Sequence, residues 1–359
     1  MPRTYTFKNI NEGVLGWHLD LGKGDAAEDY GEWFWLDGQL ESGYQFSLGL
    51  FTNFPPSYRP TAWYKARWGD RPEMRLWPAV DLHVATPDGK VHRGIELFPP
   101  KSFKPAPWGV SIENNTYTGK LNPRTGMPES YHLKVAVEDM TIDFNASVVA
   151  TGVVFSDEEH GYSYYHPVKK RALGWWPLIP RAEIEGTITV GGKTIRDKGL
   201  LFCERQLTNL PISEPSGQSW WFWGHFFAGD YTAVWTDSAA SEHFNYRHFS
   251  PFVLWKGSDV VLSTYNFAAY AEKFDLDADG IPYPSVVSLK ASDGVREMTA
   301  QIVKGTITNR LESYVRQRSE VRLQLKHWGE TQEVRGEAVH EWGCGPHWFP
   351  KSFDKAFKQ

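Results

Sequence analysis

Alternation is the feature that most restricts how this chain can fold. Tyr44-Gln45-Phe46-Ser47-Leu48-Gly49-Leu50-Phe51 switches character at nearly every step, as do the stretches from Glu183 to Val190 and from Val321 to Lys326. A period of two places successive side chains on opposite faces of a strand. Turn signals follow these runs: Asp88-Gly89, Gly191-Gly192 and Trp328-Gly329 mark hairpins. No long stretch repeats its apolar residues at helical spacing. Pro-rich connectors occupy Pro55 to Pro60 and Pro211 to Gly217, where regular pairing is interrupted. Many short strands joined by frequent turns specify an all-β sandwich or barrel.

With 359 residues the chain is too long for one small core, and about two domains are expected. An internal echo says how they are built. Gly192, Gly199 and Glu204 recur as Gly329, Gly336 and Glu341, each offset by 137 residues. Trp33-Phe34-Trp35 recurs as Trp221-Phe222-Trp223, each followed by a glycine turn and a tyrosine: Gly43-Tyr44 and Gly229-Asp230-Tyr231. Each half opens on Trp-Phe-Trp and closes on a glycine and a carboxylate, in the same order. A duplicated β unit is the reading, with domains at 1–210 and 211–359. A sheet of about eight to ten strands in each half would close around one small ligand.

Composition narrows the partners. The net charge is −5, with both signs spread along the chain. There is no basic field for nucleic acid and no polybasic patch for a membrane surface. The 17 Trp, 16 Tyr and 21 Phe suit a large β core, an aromatic ligand pocket, or both. Cys203 and Cys344 are the only cysteines, which excludes a disulfide scaffold and a Cys₄ zinc site. The first residues show no basic segment leading into an apolar one. No apolar run reaches the ~18 residues of a membrane span. A cytoplasmic protein without a transmembrane segment is expected.

The motifs carry a resemblance. Glu-Trp-aromatic-aromatic near the start, then a hairpin, then Trp-Gly and Ala-Gly-Asp-Tyr in the second half, resemble the carotenoid 1,2-hydratase (hydroxyneurosporene synthase)/AttH superfamily. That superfamily includes phytoalexin hydratases and decalin-forming Diels–Alderases. Its members usually close the first half on aromatic-x-Asp-His/Arg-Glu/Gln/Asn-Trp. This chain has Phe202-Cys203-Glu204-Arg205-Gln206-Leu207, with Glu for Asp and Leu for Trp. The resemblance implies two lipocalin-like (calycin) antiparallel β-barrel domains in tandem. It implies addition or removal of water, or cyclisation including [4+2] chemistry, on a polyene or terpenoid-like small molecule, without a redox cofactor. A lipocalin-like carrier that binds such a ligand without turnover is the alternative.

Alkene hydration needs a proton donor, a water and walls that stabilise a cation. A carboxylic acid or a histidine supplies the first, aromatic faces the last. Cyclisation needs only a shaped pocket and one or two hydrogen-bond donors. The hairpin Trp220 to Asp237 is the best local candidate. If Ala228-Gly229-Asp230 forms its turn, Phe227 faces Tyr231, His225 pairs with Ala233, Trp223 with Trp235 and Trp221 with Asp237, all on one face. His225 and Asp237 would then bracket a substrate about 13 Å apart. A register one residue different would turn Phe222, Gly224 and Phe226 inward instead. The catalytic candidates are therefore His225, Asp237 and Glu204. The substrate-binding candidates are Trp35, Tyr164, Trp221, Trp223, Tyr231 and Trp235. Glu32 is weighed like Glu204, and Arg205 is expected to neutralise an interior carboxylate.

Other patterns argue against cofactors. Asp275 to Gly280 copies the first half of an EF-hand loop, but the twelfth position is Val286, so a solvated turn is preferred to a calcium site. His340, Cys344 and His347 offer only three local zinc ligands. Gly-x-Ser-x-Gly, Gly-x-Gly-x-x-Gly and P-loop patterns are absent. No metal and no nucleotide cofactor are expected.

Overall fold

A computed structural model describes residues 8–9, 17–19, 30–53, 78–106, 108–155, 161–166, 168, 170–209, 218–240, 244–278, 280, 282–311, 314–327 and 330–344. Among these there is no α-helix, and the chain divides into two compact units. The first holds β1 (Lys8–Asn9), β2 (Gly31–Leu40), β3 (Gln45–Phe51), β4 (Ala79–Ala85), β5 (Val91–Leu97), β6 (Phe103–Ala106), β7 (Gly109–Ile112), β8 (Asn115–Leu121), β9 (Pro128–Val137), β10 (Met140–Ala150), β11 (Val153–Val154), β12 (Tyr164–His166), β13 (Arg171–Val190) and β14 (Lys193–Thr208). The second holds β15 (Gln218–Ala228), β16 (Tyr231–Ala240), β17 (His248–Phe249), β18 (Phe252–Lys256), β19 (Asp259–Thr264), β20 (Phe267–Leu276), β21 (Pro282–Ser292), β22 (Arg296–Leu311), β23 (Tyr314–His327) and β24 (Glu330–Cys344).

The first sheet runs β5-β4-β3-β2-β14-β13-β10-β9-β8-β7-β6, the second β19-β18-β16-β15-β24-β23-β22-β21-β20. In each, the opening strand returns to pair with the closing one, and neighbours are antiparallel. This is the up-and-down order of a lipocalin-like barrel. From β5 to β8 in the first sheet, every strand has its counterpart from β19 to β20 in the second. The two sheets also share a register. Trp35 pairs with Glu204 and Phe34 with Arg205; Trp223 pairs with Glu341 and Phe222 with Trp342.

The recurring glycines have a steric cause. A Cβ on Gly199 would lie 2.0 Å from the Gln39 carbonyl oxygen, and one on Gly336 1.9 Å from that of Phe227. Gln39 and Phe227 occupy the same place in β2 and β15, so each barrel needs a bare backbone where its first and last strands cross.

Each unit curls around its own core. Phe34, Leu36, Leu48, Val80, Tyr117, Leu133, Phe144, Trp176 and Leu201 lie in the first. Phe226, Trp235, Phe252, Leu289, Ile302 and Leu323 lie in the second. The long β13 bends to follow the curve through register shifts beside Pro177 and Pro180, where a missing N–H costs no ladder bond.

Candidate functional site

The hairpin of β15 and β16 corrects the expected pairing. Only Gly229 and Asp230 form the turn, and Ala228 pairs with Tyr231. Gly229 takes a φ of 56°, as the first position of a favoured two-residue hairpin loop requires. His225 therefore pairs with Val234, Trp223 with Thr236 and Trp221 with Ser238, while Asp237 pairs with Phe222 and Trp235 with Gly224. With a side-chain period of two, one residue fewer in the turn separates the expected group. Trp221, Trp223 and His225 share one face. Tyr231, Trp235 and Asp237 share the other with the core residues Phe222 and Phe226.

The two groups have different surroundings. His225 is fully buried between Trp223 and Phe227, with ring centroids 5.8 and 5.4 Å away. Asp237 ties the barrel together: Oδ2 accepts the Ala269 N–H of β20 at 2.8 Å, and Oδ1 lies 2.6 Å from His248 Nε2. That carboxylate raises the His248 pKa above its ordinary value, against partial burial. Trp235 packs over Gly224, where a Cβ would stand 2.4 Å from its ring. The Tyr231 hydroxyl donates to Gln332 at 2.9 Å.

Three candidates share one face of the sheet in the first unit, and two of them are neighbours. Glu204 and Trp35 are cross-strand partners, and Tyr164 lies along the same face of the sheet through Leu173 and Thr208. This face is turned away from the barrel core, and Glu204 and Tyr164 are nonetheless buried on it. Glu204 accepts a hydrogen bond from Trp175 Nε1 at 2.6 Å and another from the Gln206 amide. Its repeat, Glu341, is held likewise by the Tyr314 hydroxyl at 2.6 Å and by Arg316. The equivalence marks both carboxylates as fasteners between neighbouring strands. Farther along the same face, the buried Asp81 binds His83 at 2.9 Å and Arg93 at 3.3 Å.

On the inner face of the first barrel is a second polar cluster. Arg205 does neutralise a buried carboxylate, that of Glu32; both are fully buried. Glu32 Oε2 accepts the Tyr30 hydroxyl at 2.7 Å and the His18 backbone N–H at 2.9 Å, and its Oε1 lies 3.1 Å from His18 Nδ1. Aromatic rings enclose the group. His18 stacks on Trp176 at 5.3 Å and Tyr162 stands 5.6 Å away. The Arg205 guanidinium lies 4.3 Å from the Trp17 ring.

Burial by itself would raise the Glu32 pKa, but Arg205 first, then His18 and Tyr30, hold the carboxyl below its ordinary range. Burial and the adjacent Glu32 push the Tyr30 phenol well above its ordinary value. Glu32 is thus a fixed carboxylate and Tyr30 a fixed donor. Glu32 holds His18 by Nδ1.

The duplication shows how unusual this cluster is. At the positions of Glu32 and Arg205 the second barrel carries Trp220 and Trp342. The fold therefore does not require a buried ion pair here, and such a pair is weak support for stability. Sequence reasoning noticed Glu32 and Arg205 but missed His18 and Tyr30. Aligning the two halves position by position would have exposed the Glu/Trp and Arg/Trp contrasts. Of the metal-ligand patterns, His340 faces the second core and meets Ser319 Oγ at 3.0 Å; His347 lies outside the described residues. Asp277 of the EF-hand-like run pairs with Arg310 at 2.9 Å.

No protein-family model and no curated protein matches the sequence. Solved structures do. A protein named as an AttH from Nitrosomonas europaea superposes with a TM-score of 0.58 at 13% identity, over 94% of this chain and 98% of its own. CghA in complex with Sch210972 gives 0.60 at 13%, over 88% and 89%. Kievitone hydratase from Nectria haematococca gives 0.54 at 13%, over 96% and 97%. This chain shares their fold. It is the tandem lipocalin-like architecture that the sequence motifs resemble.

Proposed function

We propose that the protein is a cofactor-independent lyase or isomerase that hydrates, dehydrates or cyclises a hydrophobic polyene or terpenoid-like small molecule inside the first barrel. The observation that carries this is the Glu32–Arg205–His18–Tyr30 cluster, buried among aromatic rings in one barrel, whose central ion pair is replaced by Trp220 and Trp342 in the other. Two solved proteins of the same fold support a small-molecule role: one is a hydratase by name, the other holds Sch210972. In this reading His18 exchanges the proton and Glu32 orients its ring, as a carboxylate orients the histidine of a catalytic triad. Arg205 keeps Glu32 ionised. Tyr30 fixes the other carboxylate oxygen, and Trp176 and Tyr162 offer π faces to a developing cation.

One observation favours the carrier alternative. Both oxygens of Glu32 are already engaged, so the cluster could anchor a ligand without turning it over. Mass spectrometry of purified protein incubated with polyene and terpenoid candidates decides between them. The wild type is compared with His18→Asn, Glu32→Gln, His225→Ala and Asp237→Asn. A product changed by the mass of water, or one of equal mass and altered retention, should form, and its rate should fall by about 10²-fold or more in the His18 variant. Ligand recovered unchanged by every protein supports the carrier. Full activity in His18→Asn with loss in His225→Ala moves the chemistry to the other barrel.

A further inference from the structure

Two tyrosines inside the first barrel carry hydroxyls without a well-placed acceptor. Tyr117 on β8 and Tyr131 on β9 face the core and are 0% and 3% exposed. The register sets them diagonally across the two strands, with Tyr131 opposite Gly119. Their rings stack with centroids 4.5 Å apart and planes at 7°. Gly119 admits this arrangement, since a Cβ there would stand 2.9 Å from the Tyr131 ring. Neither phenol oxygen makes a well-directed hydrogen bond; within reach of Tyr117 are the Cys203 sulfur, a weak acceptor, and the Tyr131 phenol. The thiol of Cys203 beside them turns toward the Glu204 carbonyl, 3.8 Å away. A bond between the two phenols would leave the remaining O–H to that weak sulfur acceptor alone. Such a buried group is unfavourable, because it has given up its hydrogen bonds to water without full replacement. Burial, with Cys203 adding to it, raises both phenol pKa values well above the ordinary one, so both remain donors at neutral pH. Phe34 links the pair to the Glu32 cluster: its ring meets Tyr117 edge-on at 5.2 Å and lies 5.5 Å from the Arg205 guanidinium.

We propose that Tyr117 and Tyr131 form a two-donor site for the oxygen of a conjugated carbonyl on the hydrophobic molecule that the first barrel takes. This rests on the reading of that barrel as the ligand site and adds a substrate class: an apolar skeleton bearing a carbonyl, rather than a pure hydrocarbon. A hydrocarbon would leave both donors without a well-placed acceptor, whereas a carbonyl satisfies them, and sites with buried donors reject the analogue that lacks the acceptor. Two O–H groups aimed at one oxygen also stabilise negative charge as it develops there.

The test uses the full chain and β-ionone, a conjugated isoprenoid ketone, beside its hydrocarbon counterpart without the carbonyl. The infrared carbonyl band of bound β-ionone should lie at lower wavenumber than in hydrocarbon solvent. Tyr117→Phe and Tyr131→Phe should each reduce the shift. The double variant should abolish it and weaken β-ionone binding at least about tenfold, leaving the hydrocarbon unaffected. Tyr270→Phe, on the exposed surface of the second unit, should change nothing. Without ligand the double variant should melt no lower than the wild type, because it deletes donors that lacked well-placed acceptors. Failure to bind β-ionone, an unshifted band, a shift that survives the double variant, or a lower melting point without ligand would each overturn the proposal. Turnover is read separately. An unshifted band in the wild type, with product still formed, defeats only the donor site. A shifted band with no product from any candidate defeats the enzymatic reading and leaves the donor site standing.

Discussion

At the scale of residues, the buried charges carry the sharpest energetic consequences. Arg205→Met leaves the Glu32 carboxylate buried without its counter-charge and should destabilise the first unit by about 3–5 kcal/mol. Adding Glu32→Leu should recover most of that loss, because an apolar pair of similar volume replaces an ion pair at little net cost. Urea denaturation of the four proteins in this cycle measures both effects; a double variant as unstable as Arg205→Met alone would show that the charge is not the cause. The cluster also sets a pH dependence. Asp81, like Glu32, is held below its ordinary range: burial opposes ionisation, but His83 and Arg93 outweigh it. A group with a depressed folded pKa contributes its full stability above its unfolded pKa of about 4 and loses it as pH falls through the folded value. The urea midpoint should therefore hold from neutral pH to about 5 and fall below about 4. Glu32→Gln with Asp81→Asn should flatten that fall, and an unchanged profile would place the acid sensitivity elsewhere.

At the scale of elements, the fold depends on where strands meet closely. Gly199→Ala and Gly336→Ala each push a methyl into a carbonyl oxygen of the neighbouring strand, at 2.0 and 1.9 Å. Each should cost well above the ~1 kcal/mol of a typical substitution, read as a lower melting temperature of the unit that carries it. Asp237 closes the second barrel by joining β16 to β20. Asp237→Ala strips the Ala269 N–H of its acceptor and should cost about 1–3 kcal/mol, with faster hydrogen exchange at that amide. Its link to His248 has the opposite pH sign from Glu32. A raised histidine pKa contributes stability below the unfolded value of about 6.5, and the contribution disappears as pH rises through the folded one. His248 is more than half exposed, so solvent screens this contribution. His248→Gln should leave only a slight flattening between pH 6 and 8.

At the scale of the whole molecule, duplication separates what the fold needs from what one copy has acquired. Both halves keep the glycine crossing, the Trp-Phe-Trp strand and a carboxylate fastened by an aromatic donor on the next strand. Only the first has Glu32 with Arg205, and only the first stacks Tyr117 on Tyr131. Ligand binding should accordingly be sensitive to substitutions on the inner face of the first barrel. It should be indifferent to His340→Ala in the second, although both positions are buried. Fluorescence titration with a hydrophobic ligand measures this, and a larger loss from His340→Ala than from Tyr117→Phe would reverse the assignment.

Much of the architecture was written into local pattern. Alternation with a period of two specifies strands because the backbone itself alternates its side chains, and glycine pairs specify tight hairpins because they accept positive φ. The echo from Trp33 to Trp221 and from Glu204 to Glu341 carried the tandem arrangement. Arg205 announced a buried partner, because a lone charge in such a core is too costly to keep. Tertiary structure alone decided which face each residue serves. A single residue in the Gly229-Asp230 turn parts His225 from Asp237, since a strand reverses every side chain when its register slips by one. Tyr30 meets Glu32 as a period-two neighbour, but no local pattern could bring His18 to Glu32, or stack Tyr117 on Tyr131. Those meetings depend on the curl of the sheet and on the segment at Trp17 to Leu19, and a long-range approach of that kind leaves no period in the sequence.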